Sequence, residues 1–517
     1  ALAGSELGER LLAELPLSPA EGLAHADTWL GAPMLPLLSD VTRAGVGLGF
    51  DPATKKTVLV ARGTDAAAVE RALERGFDAL ERQFGWPGAF DRPQRSWSGA
   101  DVWALGEAYV ARRETLLVLG NDGELVEETL ALCADAEGDG LLAREGFAAL
   151  RARRPSDAAL WAWVDLAALE PAADEGFRKL REANRAPAAQ GLLGAELSAL
   201  LSAHALSATL QLRDEHGLDL CFAAFEAPCV PSLAPLARVG EVPAELVGGT
   251  ASALLYRDYA RFLTQRGELF PPEALPDFAE AITNGALFFE GQDLGEDVLS
   301  RVSPWIRLVS RELPFDAGLR PEIPLPGLAL VAVLGDERDG EAWSAAFQTV
   351  VSIANVDRAQ KGERGMRLHL EREGATEISA ARFAAPRPGD GVDVRYNLEP
   401  AIAVVGRHLV LGTHAALVRE VVRELEGAAP LEPATARETL ELDAHSWHRV
   451  LDQNFELLVA RKMLEEGLER AAAEKEIEGL RLALASFRSV RVELEAPTST
   501  APELRVELRL AAKGAPR

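Results

Sequence analysis

A segment near residue 114 recurs in the second half of the chain, and this repeat constrains the fold more than any other feature. Residues 114–130 read ETLLVLGNDGELVEETL, and residues 407–422 read RHLVLGTHAALVREVV. Leu117 aligns with Leu409 at the offset that also aligns the two helical patterns. Each copy has a short apolar run, a glycine, and then apolar residues at helical spacing. The sequence therefore predicts a strand, a turn and a helix, present twice.

The repeated unit predicts particular roles for its glycines and leucines. Gly120 and Gly412 should lie in the turns between strand and helix, where a positive φ would suit a residue without a Cβ. Each short strand also needs a cover for its apolar side chains. We therefore expect burial beneath the following helices for Leu117, Leu119, Leu409 and Leu411.

Other segments keep the same order in both halves, at slightly shifting offsets. Val58–Val60 resembles Leu330–Val333, and Ala208–Leu212 resembles Val490–Leu494. Unrelated segments would lose this order, so we expect a tandem duplication. Hairpins and helices interleave without strict strand-helix alternation. The pattern favours an α+β fold, in which each module is a mainly antiparallel sheet with covering helices.

Local patterns predict the remaining elements. Apolar runs indicate strands, and apolar residues at helical spacing behind a capping residue indicate helices. Strands are expected at Ala44–Phe50, Lys56–Arg62, Asp101–Leu105, Ala108–Arg112, Thr115–Leu119, Ala158–Leu166, Leu206–Leu212 and Leu218–Phe225, and helices at Ala66–Phe84, Glu124–Leu132, Glu145–Arg153, Ala172–Asn184, Gly191–His204 and Glu341–Val351.

A boundary between the modules is expected at Ala227–Val242, which holds three prolines and no sustained periodicity. The sequence thus predicts a first module over residues 1–228 and a second over residues 229–517.

The second module opens with a strand that the first module lacks. Thr250–Tyr256 reads as a strand, and the following Asp258–Leu269 reads as a helix. In the first module the corresponding helix, Ser5–Leu15, stands at the start of the sequence. We therefore expect a missing strand in the first module and a sheet edge open to a protein partner or to a removed N-terminal segment.

Composition and charge exclude several classes of partner and site. The 517 residues include 80 acidic and 54 basic ones, for a formal net charge of −26. This charge repels nucleic acid and anionic membranes. No apolar run approaches the ~18 residues of a membrane helix. Cys133, Cys221 and Cys229 form no CxxC pair, so we expect buried thiols and no bound cofactor.

No motif of nucleotide-binding, serine-hydrolase or zinc-protease chemistry is found in the sequence. Gly45, Gly47 and Gly49 lie between two strands, with no helix start to receive a phosphate. Gly47–Phe50, GLGF, is similar to the carboxylate-binding loop of PDZ domains, but the order of surrounding elements differs. Paired acids such as Glu127 and Glu128 fall on helices, where charged neighbours usually form a solvated face.

Two histidines are the weak metal-binding candidates. His445 and His448 lie three residues apart near a helix start, where they could share a metal ion with Asp443 or Asp452. The alternative is a solvated first turn capped by Asp443 or by Ser446. The absence of a third His or Cys at a familiar spacing favours this alternative.

A few polar aromatic stretches are the candidates for a binding surface or a buried polar network. The first contains Tyr256, Arg257 and Tyr259, and the second contains Tyr396 and Asn397. Tyrosines with Arg and Asn serve both purposes, so both interpretations stay open, with the structural network favoured.

These stretches also carry a family resemblance. The repeated LVLG unit, ALWAWVDL, AFQTVVSIANVDRAQ and VRYNLEPAIAVVG together resemble an uncharacterised family of large bacterial proteins that carry a domain of unknown function and an export signal. The resemblance covers most of the chain and implies an extracytoplasmic address without implying a catalytic motif. The start at Ala1 agrees with removal of an N-terminal segment on export, although a trimmed chain would look the same.

Two hypotheses of function follow. The first is a non-enzymatic, exported binding or structural protein built from two duplicated modules. The second is a hydrolase-like enzyme with a site in the cleft between the modules, where pockets often form.

Overall fold

The computed structural model describes residues 27–166, 203–225, 240–495 and 503–510, with short gaps at 29, 32, 52–53, 86–91, 135–140, 214–216, 270–274, 314, 316–318, 385–391, 393 and 430–436. These residues form two compact units. The smaller unit lies within Gly8–Arg153 and Val164–Asp174, and the larger unit lies within Arg154–Trp163 and Glu175–Arg517. None of the described helices combines the length and the apolar character that a membrane span requires.

The described residues of the smaller unit include six strands, four α-helices and a short 3₁₀ helix at Leu141–Ala143. The strands are β1 (Gly45–Asp51), β2 (Lys56–Arg62), β3 (Arg95–Trp97), β4 (Ala100–Leu105), β5 (Ala108–Arg113) and β6 (Leu116–Gly120), and the helices are α1 (Met34–Thr42), α2 (Ala66–Phe84), α3 (Gly123–Ala134) and α4 (Glu145–Ala152).

The six strands form one antiparallel sheet with a helix on each face. They pair in the order β1-β2-β6-β5-β4-β3. Successive side chains of a strand point to opposite faces. Leu117 therefore packs in a cluster with Phe77 of α2, whereas Val118 packs with Val126 of α3. Burial on both faces explains why β6 reads as a continuous apolar run.

Helix α2 begins and ends at residues suited to those positions. The Asp65 carboxylate accepts a hydrogen bond from the N–H of Ala67, as an N-cap residue does. Gly85 ends the helix in the left-handed conformation, with φ of 69°. The helix predicted at Ala66–Phe84 is thus confirmed with its capping residue.

The larger unit carries the remaining described α-helices and strands, apart from Val164 and Asp165 at the end of one strand, which belong to the smaller unit. Its sheet contains β7 (Leu160–Asp165), β8 (Ala205–Leu212), β9 (Gly217–Phe225), β10 (Ala251–Tyr256), β11 (Val302–Arg311), β12 (Gly327–Leu334), β13 (Met366–Glu373), β14 (Thr376–Phe383), β15 (Ala401–Val405), β16 (His408–Gly412), β17 (Glu438–Asp443), β18 (Phe487–Glu495) and β19 (Glu503–Leu510), and its helices are α5 (Tyr259–Thr264), α6 (Arg266–Leu269), α7 (Leu275–Phe288), α8 (Asp339–Gln360), α9 (Ala415–Leu425), α10 (Ala444–Glu466) and α11 (Arg470–Ala485).

The sheet of the larger unit is also antiparallel throughout its described pairings. Its strand order is β13-β14-β15-β16-β12-β11-β10-β17-β18-β19-β9-β8-β7. Leu409 of β16 packs in a cluster with Trp343 of α8, and the next residue, Val410, packs with Val418 of α9. The two antiparallel sheets with covering helices confirm the predicted α+β class.

The pairing of β9 with β19 makes the large sheet continuous. Leu220 lies opposite Val506 in this ladder. Asp219 of β9 is buried and accepts hydrogen bonds from Arg213 and from Arg505 of β19. Strands β8 and β9 belong to the larger unit, although they fall within the expected first module, residues 1–228. The compact units therefore do not coincide with the expected modules, 1–228 and 229–517. Those modules stay a prediction about how the sequence arose.

Strand order is shared between the two sheets. The series β3-β4-β5-β6-β2-β1 of the smaller sheet follows the same path as β13-β14-β15-β16-β12-β11 of the larger one. In each series the LVLG strand pairs with the strand that precedes the long helix, α2 or α8. A tandem duplication requires such a shared strand order, but the duplication itself stays a prediction.

The predicted reason for the two repeated glycines was partly wrong. Gly120 and Gly412 end their strands just before α3 and α9, as expected, but neither has a positive φ. Close packing excludes a side chain instead. A Cβ at Gly120 would lie 2.6 Å from Cγ2 of Val126, and a Cβ at Gly412 would meet Cγ2 of Val418 in the same way.

The prediction that the following helices cover the four leucines was also wrong. Leu117 and Leu409 are buried, whereas Leu119 and Leu411 are only partly buried. They face α2 and α8, which precede the strands in sequence. The helices that follow cover the alternate residues, because a strand directs its even and odd side chains to different faces.

Most other predicted strands and helices are present with ends shifted by a few residues. The helix expected at Asp258–Leu269 is divided into α5 and α6. The helices expected at Ser5–Leu15 and Ala172–Asn184, the helix expected at Gly191–His204 except its last two residues, and most of the boundary segment lie outside the described residues.

Candidate functional site

The outer edge of β1 is the candidate binding site. Within the described part of the chain, β1 is hydrogen-bonded to β2 alone and forms one end of the six-stranded sheet. All seven of its residues are exposed. Val46, Leu48 and Phe50 retain 60%, 70% and 62% of their accessible surface. An apolar strand of this length with so little burial is unusual for a folded sheet.

The three exposed side chains continue the core face of the sheet. Val46 lies opposite Ala61 of β2, and Leu48 lies opposite Leu59. Directly opposed residues of an antiparallel pair share a face. Ala61 is buried and packs, with Leu59, in the cluster beneath α2. The apolar face thus extends past the area covered by the helix and ends in the open at β1.

The opposite face of β1 is nearly bare backbone. Gly45, Gly47 and Gly49 occupy the alternate positions, and a Cβ at Gly45 or Gly47 would have no atom within 4 Å. Gly45 has φ of +134°, which a residue with a side chain rarely adopts. The glycines leave the main chain of β1 accessible from this side.

The hairpin that presents β1 is tied to the rest of its sheet. The side-chain oxygen of Asn121 accepts a hydrogen bond from the N–H of Thr57 at 2.8 Å, and its amide donates to the carbonyl of Lys55 at 3.0 Å. Asn121 directly follows β6, so the turn after the LVLG strand holds the start of β2 in place. The position of the edge is therefore fixed by the core of the unit.

The residues predicted from the first polar stretch form a buried clamp at the end of β10. The Arg257 guanidinium donates to the Glu438 carboxylate at 2.7 Å, with side chains exposed by only 3% and 1%. Tyr256 stacks edge-on against the buried Trp305 at 5.2 Å between ring centroids. Burial raises the pKa of the Tyr259 hydroxyl. The contacts of Arg257 and Tyr256 join β10 to β11 and β17. These side chains are therefore engaged in structural contacts.

The second polar stretch forms a separate network. The Asn397 side chain accepts from the N–H of Leu325 and donates to the carbonyl of Ile323, each at 2.8 Å. Tyr396 donates to the carbonyl of Ala384 at 3.0 Å. The structure does not bring these residues together with the group around Arg257 in any hydrogen bond or ring contact of the described residues. The favoured interpretation, two structural networks, agrees with these contacts.

The two candidate histidines do not share a ligand set. His445 is exposed, and Nδ1 of His448 lies 3.2 Å from the Asp452 carboxylate one turn along α10. Asp443 caps the helix by accepting from the N–H of Ser446 at 2.7 Å. No group of three His, Cys, Asp or Glu side chains in the described ranges is placed to hold a metal ion.

Sequence reasoning missed the cleft beside this helix start. A cleft of about 750 Å³ lies at the ends of β10, β11 and β17 and is lined by Asp443, His445 and Ser446. Asp, His and Ser are the residue types of a serine-hydrolase triad, but these three residues do not make the contacts of a triad. Ser446 Oγ accepts a hydrogen bond from Nη2 of Arg449 at 3.2 Å, and the Asp443 carboxylate accepts the capping hydrogen bond from the N–H of Ser446. Neither bond involves the imidazole, so the geometry of a catalytic triad is absent from these three residues.

Comparisons with protein-family models, curated proteins and solved structures found no match for this chain.

Proposed function

We propose that this chain is a non-enzymatic binding protein that receives an extended segment of another polypeptide along the outer edge of β1. The observation that carries the proposal is the exposure of Val46, Leu48 and Phe50 on a strand that is paired on one side among the described residues. Such an edge offers free N–H and C=O groups for strand addition, and the neighbouring apolar side chains add selectivity.

The composition of β1 supports this role. Exposed edges are usually protected by charged residues, by proline or by a bulge. The strand reads GVGLGFD, so its single charged residue, Asp51, stands at its end, and it holds no proline. Its register with β2 is regular from Gly45 to Asp51. The edge is therefore straight and uncharged over six residues, which suits a partner strand.

A binding role also agrees better with the cleft at α10 than an enzymatic role does. Asp443 and Ser446 stabilise the helix start, and Arg449 is held by the Glu312 carboxylate at 2.6 Å. These groups have structural partners in place of a substrate. The hydrolase hypothesis, which places its site in the cleft between the modules, stays a prediction. Assay of the purified chain against a panel of ester, peptide and glycoside substrates tests it.

We further propose that the chain acts outside the cytoplasm and belongs to the exported family that it resembles. The support is the similarity of its LVLG repeats and of VRYNLEPAIAVVG to that family. Fractionation of the source bacterium with an antibody against this chain tests the address. Recovery in the cytoplasmic fraction alone would contradict it.

Site-specific photocrosslinking tests the proposed binding. A photoreactive amino acid is placed at Leu48, and a matched control carries it at Leu132, an exposed residue of α3 in the same unit. We expect position 48 to give a discrete adduct with a polypeptide in the native host, and position 132 to give none. The same adducts from both positions, or none from position 48, would contradict a partner at β1.

A further inference from the structure

The larger unit contains a strand that is equivalent to β1, and its pairing shows which kind of strand can lie beside it. Leu117 of β6 aligns with Leu409 of β16, and their ladder partners are Ala61 and Ala332. Across the next ladder, Ala61 lies opposite Val46. Ala332 lies opposite Ile306 of β11. The counterpart of β1 is therefore β11, with Val46 equivalent to Ile306.

Strand β11 is paired on both sides, unlike β1. It lies between β12 and β10. In the second ladder Ile306 faces Leu255, Leu308 faces Ala253, and Ser310 faces Ala251. No residue of β11 is exposed, and Ile306 retains only 7% of its surface. Its equivalent, Val46, retains 60%. Pairing with β10 is a contact that β11 has and that β1 lacks among the described residues.

A second strand differs from its counterpart in its pairing in the same way. In the larger sheet β10 also pairs with β17. The counterpart of β17 by order in the chain is β7, the end strand of that sheet, which pairs with β8 alone among the described residues. In the part of the chain that the structure describes, both neighbours of β10 thus have counterparts with no β10-like strand beside them.

We propose that the polypeptide segment received by β1 is a strand of the β10 type, supplied by another chain and bound antiparallel to β1. This inference rests on the proposed function and specifies its ligand. The segment is uncharged over about six residues, with an aliphatic side chain opposite Val46 and small side chains opposite Leu48 and Phe50. These are the properties of Ala251, Ala253 and Leu255 in the ladder with β11. Small residues fit because Leu48 and Phe50 are themselves large.

Binding of a synthetic peptide tests the inference. The peptide carries residues 248–258, GGTASALLYRD, with a fluorophore, and a scrambled peptide of the same composition is the control. The full chain is titrated and the anisotropy is measured. We expect saturable binding of the first peptide, and binding at least about tenfold weaker for the Leu48→Asp variant, because a carboxylate would be placed beside the paired edge. Leu132→Asp should bind as the unmodified chain does.

Hydrogen exchange separates strand addition from adhesion to an apolar surface. Strand addition should slow exchange of β1 amides when the peptide is bound, because N–H groups of the outer edge gain partners. Equal binding of the scrambled peptide, or no change in β1 exchange, would overturn the inference. A dimer that forms through Leu48 and excludes the peptide would overturn it in favour of pairing between two copies.

Failure of this inference and failure of the proposed function give different results. If the β10 peptide does not bind but position 48 still crosslinks a polypeptide, β1 binds a partner and the ligand inference is wrong. If position 48 crosslinks nothing, both are wrong.

Discussion

Gly120 lies so close beneath Val126 that a side chain at residue 120 has no space. An ideal Cβ on Gly120 would lie 2.6 Å from Cγ2 of Val126 and 3.1 Å from the carbonyl oxygen of Thr57. Gly412 and Val418 have the same relationship in the larger unit. In both LVLG units the valine lies six residues after the glycine. The contact between these two residues limits how closely the helix approaches the strand.

Replacement of Gly120 or Gly412 by Ala should destabilise its unit by about 1–3 kcal/mol, and replacement by Val by more, because the helix or strand must move to admit the added atoms. Denaturant unfolding of each variant measures the loss. Gly47→Ala is the matched control, since a Cβ there meets nothing within 4 Å. Equal stability of the Gly120 and Gly47 variants would contradict the packing explanation.

Truncation of Leu409 to Ala should cost about 2–5 kcal/mol, because its side chain is fully buried against Leu334 and Ile402. Leu464→Ala is the control, since that residue of α10 is 86% exposed. The measurement is the free energy of unfolding. A cost for Leu409→Ala no larger than the control's would show that this strand is not part of the core.

Removal of one partner of the buried Arg257–Glu438 pair should destabilise the larger unit strongly. Glu438→Leu removes the buried carboxylate with which Arg257 pairs, and loss of one partner of a buried ion pair costs about 3–5 kcal/mol. The double variant Arg257→Met, Glu438→Leu should recover part of this loss. Arg461→Ala, from an exposed pair with Glu465, should change stability by less than about 1 kcal/mol. A double variant less stable than Glu438→Leu would contradict the prediction.

Stability should fall with acidification through His408. Burial lowers the pKa of this imidazole, and its Nε2 accepts a hydrogen bond from the N–H of Ala244. The unfolded chain, with a His pKa of about 6.5, then binds a proton before the folded chain does. The contribution of His408 is therefore present above pH ~6.5 and is lost as the pH falls from there towards the lowered folded pKa.

Unfolding midpoints measured across that range, for the native chain and for His408→Gln, test this effect. We expect a smaller pH dependence in the variant between pH ~6.5 and the folded pKa. Identical pH profiles for the two proteins would exclude His408 as a source of the dependence.

The sequence predicted the elements well where local signals were strong. Asp65 predicted the start of α2, and the LVLG runs predicted β6 and β16. The continuous apolar character of those runs hid which helix covers which residue, because strands buried on both faces show no alternation. The cover of Leu117 was therefore wrongly assigned to the following helix.

The sites depended on long-range pairing that local patterns do not encode. Arg257 and Glu438 lie 181 positions apart in the chain, so their contact requires the order of β10 and β17. Leu48 lies in an ordinary hairpin pattern, and its exposure arises because β1 ends its sheet. The expectation of an open edge came from comparing the two halves, since no single segment of the first half carries that signal.

Hydrogen exchange of the free chain measures directly whether the outer edge of β1 is open. We expect amides on the outer edge of β1 to exchange much faster than those of its counterpart β11, which is paired on both sides. Protection of every β1 amide at the level of β11 would show that the edge is already occupied, and β1 would then not be a binding site for another polypeptide.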